Sequence, residues 1–185
     1  MNHRAPLKLR LFVAVELEDA TRSFASGVEQ RLAEAGVAGR FEAPEKLHVT
    51  VAFLGSVPEA KLPIVAQALR EACAACRPFE LGFERVGAFP KGGHPRIVWI
   101  GPAIESQAFA DCAKRVRDAY ERIGFTFDHD AMAHITLCRP TSVPAGALGA
   151  LPSGVTQTVA GLTLVRSLPA GPTTRYEALE RTPFG

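Results

Sequence analysis

A histidine–aliphatic–threonine–aliphatic pattern occurs twice in this chain, each time inside an apolar run of strand length. The two copies are His48-Val49-Thr50-Val51 and His134-Ile135-Thr136-Leu137. Because residues two apart in a strand share a face, each copy predicts a strand with its histidine and threonine on one face and its aliphatic residues on the other. The repetition indicates two similar half-folds, each of which presents an imidazole and a hydroxyl above an apolar face.

Continued beyond the motif, the same alternation predicts on which face of each strand the following residues lie. It places Phe53 on the apolar face of the first strand and Cys138 on the histidine face of the second. It also places Arg139 opposite His134, unless the strand ends or bulges there.

Hydrophobic periodicity predicts an alternation of strands and helices along most of the chain. Strands are expected at residues 9–17, 47–54, 79–89, 96–100 and 133–138, and a final hairpin is expected to pair 161–168 with 175–181. Helices are expected from 18 to about 36, from 59 to about 76 and from 106 to about 123. The Gly-rich segment 90–95 predicts a turn, and residues 141–156, with scattered Pro and Gly, predict a long loop.

These elements favour an α+β fold over a parallel nucleotide-binding fold, because no Gly-rich phosphate loop follows any strand. We expect an internal duplication in which two antiparallel or mixed sheets face a central cleft, with the helices on the outside. No linker divides the chain, so residues 1–185 are expected to form a single domain with two lobes.

Composition is that of an ordinary globular protein, with 47% hydrophobic and 22% charged residues. The net charge of +2 does not by itself indicate a nucleic-acid partner, although the 21 Lys and Arg residues can gather on one face. We find no secretory signal and no apolar run long enough for a membrane span. The four cysteines lack the spacing of a disulfide framework, which predicts free thiols and a cytoplasmic protein. Cys73 and Cys76 lie in an alanine-rich helical run, which favours a helix over half a zinc site.

If the two half-folds face each other, two histidines and two threonines converge on one cleft. A cyclic phosphodiester needs one group to give a proton and one to accept a proton, and histidine suits both roles because its pKa is ~6.5. Threonine hydroxyls can donate hydrogen bonds to the nonbridging phosphate oxygens. We therefore predict His48 and His134 as a general acid and base pair, with Thr50 and Thr136 as phosphate ligands. The near-symmetric motifs do not reveal which histidine is the acid.

The segments 47–55 (LHVTVAFLG) and 134–139 (HITLCR) resemble the paired signatures of the two-histidine phosphoesterase superfamily. The nearest branch is the LigT-like bacterial RNA 2′,3′-cyclic phosphodiesterases, also called 2′-5′ RNA ligases. Further similarity at residues 10–15, 96–101 and 174–176 extends the resemblance over nearly the whole chain.

This resemblance implies a bilobal α+β fold, no metal and no other cofactor. It implies that His48 protonates the departing 3′ oxygen and that His134 activates water, which leaves a 2′-phosphate. Thr50 and Thr136 would hold the phosphate, and Arg139 resembles a phosphate-contacting arginine of the family.

One segment departs from the family pattern. Relatives usually approach the second histidine through Phe-x-Pro-His, whereas here the chain reads Ala131-Met132-Ala133-His134 after Asp128-His129-Asp130. The missing proline predicts a less rigid entry to the strand. Asp128 and Asp130 flank His129, and carboxylates with an imidazole are acceptable metal ligands. In a strand, however, the two carboxylates would lie on the face opposite to the imidazole, which argues against a metal site.

For the other candidate functional residues, a structural explanation is simpler. Phe12 can stack on a base, but core packing is the favoured interpretation. The side chains of Arg10, Arg96 and Arg175 can contact an RNA backbone, or can be solvated charges at strand ends. His3 and His94 are expected to be exposed and inert.

Two further functional classes stay open. One is an RNA-end binding protein, or a 2′-5′ RNA ligase, with little hydrolytic turnover; the other is a metal-dependent phosphohydrolase. The substrate is expected to be an RNA end or a small cyclic nucleotide, and the protein is expected to be a monomer without membrane contacts.

Overall fold

Nine strands and three α-helices make up the chain in this computed structural model, which describes residues 7–92, 94–171 and 173–185. The strands are β1 (Lys8–Glu16), β2 (Ala38–Phe41), β3 (His48–Pro58), β4 (Phe79–Lys91), β5 (His94–Gly101), β6 (Ile135–Ser142), β7 (Gly149–Val159), β8 (Gly161–Ala170) and β9 (Thr173–Pro183). The helices are α1 (Asp19–Glu34), α2 (Leu62–Ala74) and α3 (Gln107–Glu121). Short 3-10 turns span Pro44–Lys46 and Glu59–Lys61.

The strands form one antiparallel sheet in the order β7-β4-β5-β6-β3-β1-β8-β9, and β2 is added to β6. Its two halves join where the motif strands β3 and β6 meet, through the pair Val49 and Ile135. On each side of this join the chain runs from a strand through a helix into the motif strand: β1, α1, then β3, and β5, α3, then β6. The α+β class and the antiparallel pairing are confirmed, but the two expected sheets are continuous. The bilobal duplication stays a prediction, which the matching strand orders support.

The apolar residues of both motif strands lie in one hydrophobic core that the helices cover. Val49, Ile135 and Leu137 are fully buried there, together with residues of all three helices. α1 contacts β6 and β7, α2 packs on α3, and α3 contacts β3, so α1 and α3 each reach into the half that does not contain their preceding strand. This shared core supports a single-domain organisation, which we retain as a proposal. None of the described helices is long and apolar enough to cross a bilayer.

A β-bulge interrupts each motif at its fourth position. In β3, Thr50 pairs with Ala14 and Ala52 pairs with Val13, so Val51 has no partner across the strand. In β6, Thr136 pairs with Trp99 and Cys138 pairs with Val98, which leaves out Leu137 in the same way. An extra residue shifts the alternation of faces by one, so the side chains that follow change sides. In β3 a second residue without a partner, Leu54, restores the original alternation.

The bulges overturn two predictions about facing. Phe53 was expected on the apolar face, but its side chain is 67% exposed and its ring centroid lies 6.0 Å from that of Phe12 on the histidine face. Cys138 was expected beside His134, but it is fully buried in the core. The strict alternation fails at both places because it holds only for a strand without a bulge.

Several element predictions are confirmed, one is wrong, and one short strand was missed. The three helices are confirmed, with Cys73 in α2 and Cys76 just beyond it, and the four cysteines are free thiols as expected. The segment 141–156 is not a long loop, because β6 runs to Ser142 and β7 begins at Gly149 and pairs with β4. The short strand β2 was not predicted. Residue 93 of the predicted turn and His3 lie outside the described residues.

Glu29 generates a prediction about stability. This residue of α1 is 8% exposed, and burial raises the pKa of its carboxyl from 4.5 to about 7, against a hydrogen bond from the Glu42 backbone that lowers it. Because the folded pKa exceeds the unfolded one, folding favours the protonated form, and this stability is lost as the pH rises through 7. Glu29→Gln should therefore raise the free energy of unfolding at pH 8 by about 3 kcal/mol, since the shift from 4.5 to about 7 spans about 2.5 pKa units and each unit is worth about 1.4 kcal/mol.

Urea titrations at pH 5 and pH 8 measure this effect. Glu29→Gln should match the parent protein at pH 5, and Glu34→Gln, an exposed change on the same helix, should match it at both pH values. A gain for Glu29→Gln of equal size at pH 5 and pH 8 would contradict the buried, protonated carboxyl.

Candidate active site

The two predicted histidines lie side by side at the join between the halves of the sheet. His48 is the first residue of β3, and His134 directly precedes β6. Their chain neighbours Val49 and Ile135 are the residues that pair the two strands. The structure thus brings both imidazoles, each half-buried, to the same place on the sheet surface.

Each imidazole is held by a backbone carbonyl two residues earlier in the chain. His48 Nδ1 lies 2.6 Å from the Lys46 carbonyl oxygen, and His134 Nδ1 lies 2.9 Å from that of Met132. A carbonyl only accepts hydrogen bonds, so Nδ1 donates in both rings and the neutral rings carry their lone pair on Nε2. Met132 supplies the same contact as Lys46, so the missing proline before His134 does not prevent the equivalent geometry.

The two threonines differ in their contacts. Thr50 Oγ1 lies 3.0 Å from His48 Nε2, so its hydroxyl donates to the neutral ring or accepts from the protonated one. Thr136, half-buried opposite Trp99, lines the same cavity as both histidines. Both hydroxyls therefore lie on the histidine face, as the alternation predicted for residues before the bulge.

Aromatic rings enclose each imidazole. The His48 ring centroid is 5.0 Å from that of Phe12 and 5.4 Å from that of Tyr176. The His134 ring centroid is 4.9 Å from that of Phe89 and 6.4 Å from that of Trp99. Phe12 is 4% exposed, so its favoured packing role is confirmed, and its packing partner is a predicted catalytic residue. These rings fix the orientation of the imidazoles and remove water from one side of each.

This enclosure shifts the titration of both histidines. Burial lowers the pKa of His134, partly offset by the Met132 carbonyl. Burial also lowers the pKa of His48, where the Lys46 carbonyl and the Glu42 carboxylate act in the opposite direction, while His134 and the Lys46 ammonium add to the lowering. Only for His48 does a carboxylate favour the protonated ring, so the environment distinguishes two histidines that the sequence motifs leave nearly equivalent.

Glu42 also organises the cations beside the histidines. Its carboxylate lies 3.2 Å from Lys46 Nζ and 3.5 Å from Arg139 Nε. Arg139 reaches this place because the bulge at Leu137 turns it to the histidine face, the exception that sequence reasoning allowed for. Glu42 and Lys46 were not predicted, since they lie in a connection without a distinctive pattern.

A cavity of about 900 Å³, which we call the basic cleft, contains both histidines and both threonines. Six cationic side chains line it: Lys8, Arg10, Arg40, Lys46, Arg139 and Arg166. Arg96 and Arg175 are exposed and do not contribute to this lining. Although the net charge of the chain is small, positive charge is concentrated in the cleft, where a phosphate would contact the imidazoles.

Arg22 of α1 fixes the connection that leads into β3. Its guanidinium donates to the carbonyl oxygens of Pro44 at 2.7 Å and Leu17 at 3.1 Å, with a longer contact of 3.4 Å to that of Leu47. These bonds hold the backbone on both sides of Lys46, whose carbonyl holds His48. Arg22 is a positioning residue that no sequence signal distinguished.

The two other histidines that the structure describes, His94 and His129, do not line the basic cleft. His94 is exposed at the start of β5, as expected. The carbonyl of His129 accepts a hydrogen bond from Arg117, which also pairs with Asp130 at 2.6 Å. Within the described ranges, no three His, Cys, Asp or Glu side chains are grouped so that they could hold a metal ion.

Several known proteins are similar to this chain in sequence or in fold. The model of the LigT-like phosphoesterase family matches residues 11–99. The chain is 40% identical over 132 residues to an RNA 2′,3′-cyclic phosphodiesterase of Archaeoglobus fulgidus, covering 71% of this chain and 72% of that protein. It is 32% identical to one of Thermus thermophilus, covering 94% and 89%. Among solved structures, E. coli LigT complexed with 3′-AMP superposes with a TM-score of 0.81 at 26% identity, covering 96% of this chain and 99% of LigT.

The histidine environments predict distinct titrations. Both imidazoles should titrate below the ordinary histidine pKa of 6.5 because both are buried among aromatic rings. Glu42→Gln should lower the pKa of His48 further, because it removes the carboxylate that favours the protonated ring, and should leave His134 unchanged. NMR titration of the imidazole C–H signals measures both, with exposed Glu45→Gln as the matched control. An equal shift at both histidines would refute the assigned asymmetry.

Proposed function

Because this chain belongs to the LigT-like phosphoesterase family, we propose that it hydrolyses 2′,3′-cyclic phosphates at RNA ends to 2′-phosphomonoesters. One observation carries the proposal. Two imidazoles, each with its Nδ1 hydrogen-bonded to a backbone carbonyl, lie in a cleft lined by cationic side chains. This pair can give and accept protons, and the cations can bind the phosphate. RNA is the polymer that the names of the relatives specify, and a small cyclic nucleotide presents the same reacting group.

In the proposed mechanism His134 Nε2 accepts the proton of the attacking water. Its Nδ1–H stays hydrogen-bonded to the Met132 carbonyl, which keeps the Nε2 lone pair directed away from the backbone. The water oxygen then attacks phosphorus as the P–O3′ bond breaks. Each correctly placed proton transfer accelerates such a reaction by roughly 10²- to 10⁴-fold.

His48 is the proposed acid that protonates the departing 3′ oxygen. The Glu42 carboxylate favours its protonated form, and a bound phosphate anion would add to that effect. The Thr50 hydroxyl, 3.0 Å from His48 Nε2, can exchange this contact for a phosphate oxygen once substrate is bound. The donor and acceptor roles that the family resemblance implied thus have independent support from the electrostatics of the site.

Thr50, Thr136 and Arg139 are proposed to hold the nonbridging oxygens. Two hydroxyls and a guanidinium stabilise the charge that grows on these oxygens as phosphorus becomes five-coordinate. Arg139 is 46% exposed at the side chain and is aligned by Glu42, so it can adjust to the phosphate without losing its ion pair. The proposed mechanism uses no cofactor.

We also propose that the protein acts as a monomer in the cytoplasm. The four free thiols, all buried, are compatible with a reducing compartment.

Removal of either imidazole tests the proposed reaction. His48→Ala and His134→Ala should each lower kcat at least about 100-fold on a short RNA that ends in a 2′,3′-cyclic phosphate. The assay contains EDTA, and chromatography separates the 2′- from the 3′-monophosphate. His94→Ala, at an exposed histidine outside the cleft, is the matched control and should retain full activity.

Three outcomes would contradict this proposal. A 3′-phosphate product would reverse the leaving group, and product formed only after metal is restored would favour a metal-dependent phosphohydrolase. RNA binding without turnover in the parent protein, unchanged in both histidine variants, would favour an RNA-end binding protein.

The lowered histidine pKa values predict the pH dependence of the reaction. kcat/KM should follow a bell whose acid limb is protonation of His134 and whose alkaline limb is deprotonation of His48. Because both pKa values lie below 6.5, the maximum of kcat/KM should lie below about pH 6.5. The kcat profile should lie at higher pH, since the bound anion favours both protonated rings. Initial rates measured from pH 4.5 to 9 give both profiles, and an alkaline maximum of kcat/KM would be inconsistent with this acid and base pair.

A further inference from the structure

The segment 125–134, which leads from α3 into β6, has no regular secondary structure and contains no proline. It carries the Met132 carbonyl that holds His134 Nδ1, so its conformation sets the orientation of the proposed proton acceptor. Phe125 fixes the start of the segment, because its amide donates to the Tyr120 carbonyl and its ring packs edge-on against the Tyr120 ring. Since ordering each backbone residue costs conformational entropy, the rest of the segment needs further contacts to keep one conformation.

Arg117 of α3 supplies such contacts. Its guanidinium donates to the His129 carbonyl oxygen at 2.8 Å and to the Asp130 carboxylate at 2.6 Å. Only 12% of the Arg117 side chain is exposed, so packing restrains the guanidinium itself. Two bonds from one rigid, planar group therefore fix two successive residues of the segment relative to α3.

The first half of the sheet contains a corresponding arginine. Arg22 lies on the helix between β1 and β3, as Arg117 lies on the helix between β5 and β6. Each donates to backbone carbonyl oxygens in the segment that precedes its motif strand. In each segment a nearby carbonyl, that of Lys46 or of Met132, holds the imidazole Nδ1. Both halves thus use a helix arginine to fix the backbone that orients a histidine.

The two arginines differ in what the sequence must supply. Arg22 donates to carbonyl oxygens, which every residue has, whereas Arg117 also needs the carboxylate of Asp130. The Asp130 side chain is 94% exposed, and an ion pair with so exposed a partner contributes little to global stability. Local alignment of the segment therefore explains this contact better than stability of the fold does.

Building on the proposed hydrolysis, we propose that Arg117 and Asp130 are positioning residues for His134. They hold the segment so that the Met132 carbonyl keeps His134 Nε2 directed at the attacking water. Their loss frees the segment, and the imidazole then adopts orientations in which it accepts the proton poorly. kcat falls while KM changes little, because this proton transfer takes place in the transition state and other residues bind the phosphate.

The kinetic test compares Asp130→Ala with Asp128→Ala on a short RNA that ends in a 2′,3′-cyclic phosphate. Both variants remove an exposed carboxylate from the same segment, but the carboxylate that Arg117 contacts is that of Asp130. Asp130→Ala should lower kcat at least about fivefold and leave KM within about twofold, since a misplacement of about 1 Å can cost about 100-fold in rate. Asp128→Ala should match the parent protein. Both variants should keep the parent's unfolding midpoint in urea.

Variants of Arg117 test whether the two residues act as one unit. Arg117→Ala removes both hydrogen bonds and should lower kcat at least as much as Asp130→Ala does. The double variant should be no slower than Arg117→Ala alone, because the second change removes a contact that is already lost. Arg117→Lys keeps a cation within reach of Asp130 and should be faster than Arg117→Ala. If the largely buried Arg117 proves necessary for folding, the exposed Asp130 carries the test.

NMR titration of the His134 C–H signals separates positioning from a direct effect of charge. Burial lowers the pKa of His134 and the Met132 carbonyl partly offsets this, so a loosened segment lets the pKa rise toward 6.5. Removal of a nearby negative charge would by itself lower the pKa, because a carboxylate favours the protonated ring. Asp130→Ala should therefore raise the pKa of His134, whereas Asp128→Ala should not raise it.

Unchanged kcat in Asp130→Ala, with His134 titrating as in the parent protein, would overturn the positioning role. Equal losses of kcat in Asp130→Ala and Asp128→Ala would overturn it too, as would a lowered His134 pKa in Asp130→Ala. The NMR titration does not depend on turnover. Absence of hydrolysis in the parent protein would therefore overturn the proposed function, while a raised His134 pKa in Asp130→Ala would still support the restraint of this imidazole.

Discussion

The contact between β3 and β6 is the constraint on which the site depends. A single residue pair, Val49 with Ile135, joins the two halves of the sheet and sets the separation of the histidines that flank it. Both paired residues are fully buried in the shared core, so their position is fixed by packing against the core that the helices cover. The positions of the two imidazoles therefore depend on core packing. Each histidine is adjacent to a buried strand residue that packs in the core covered by the helices.

The two bulges convert this junction into a cleft. An uninterrupted strand would bury every second residue after the threonine and leave Arg139 on the wrong face. With one extra residue at Val51 and at Leu137, each strand places an aliphatic side chain in the core and then returns a functional one to the surface. On β3 the returned residue is Phe53 and on β6 it is Arg139, and both line the basic cleft. Equivalent bulges thus bring different side chains to the histidine face in the two halves of the sheet.

The sequence predicted the parts of the site that depend on local alternation and missed those that depend on pairing. His48, Thr50, His134 and Thr136 precede the bulges, so a period of two was sufficient to place them together. The facing of Phe53 and Cys138 was wrong because a bulge is a property of two paired strands and leaves little trace in one. Likewise β7 contains Pro and Gly that resemble a loop, and only its pairing with β4 makes it a strand. Glu42 gave no signal because its partners Lys46 and Arg139 come from different segments.

Near-symmetric motifs leave the direction of proton transfer undecided, and the surroundings support the proposed one. Glu42 favours a charged His48, which suits the proposed role of this histidine as the acid. His134 has no comparable carboxylate among the groups that shift its pKa, and its Nε2 lone pair is available for the proposed role as acceptor. The segment that departs from the family pattern, with Asp128 and Asp130, lines a second cavity of about 460 Å³ beside His134. Substitutions in this segment can therefore change the surroundings of His134 without altering the imidazoles, the threonines or the core beneath them.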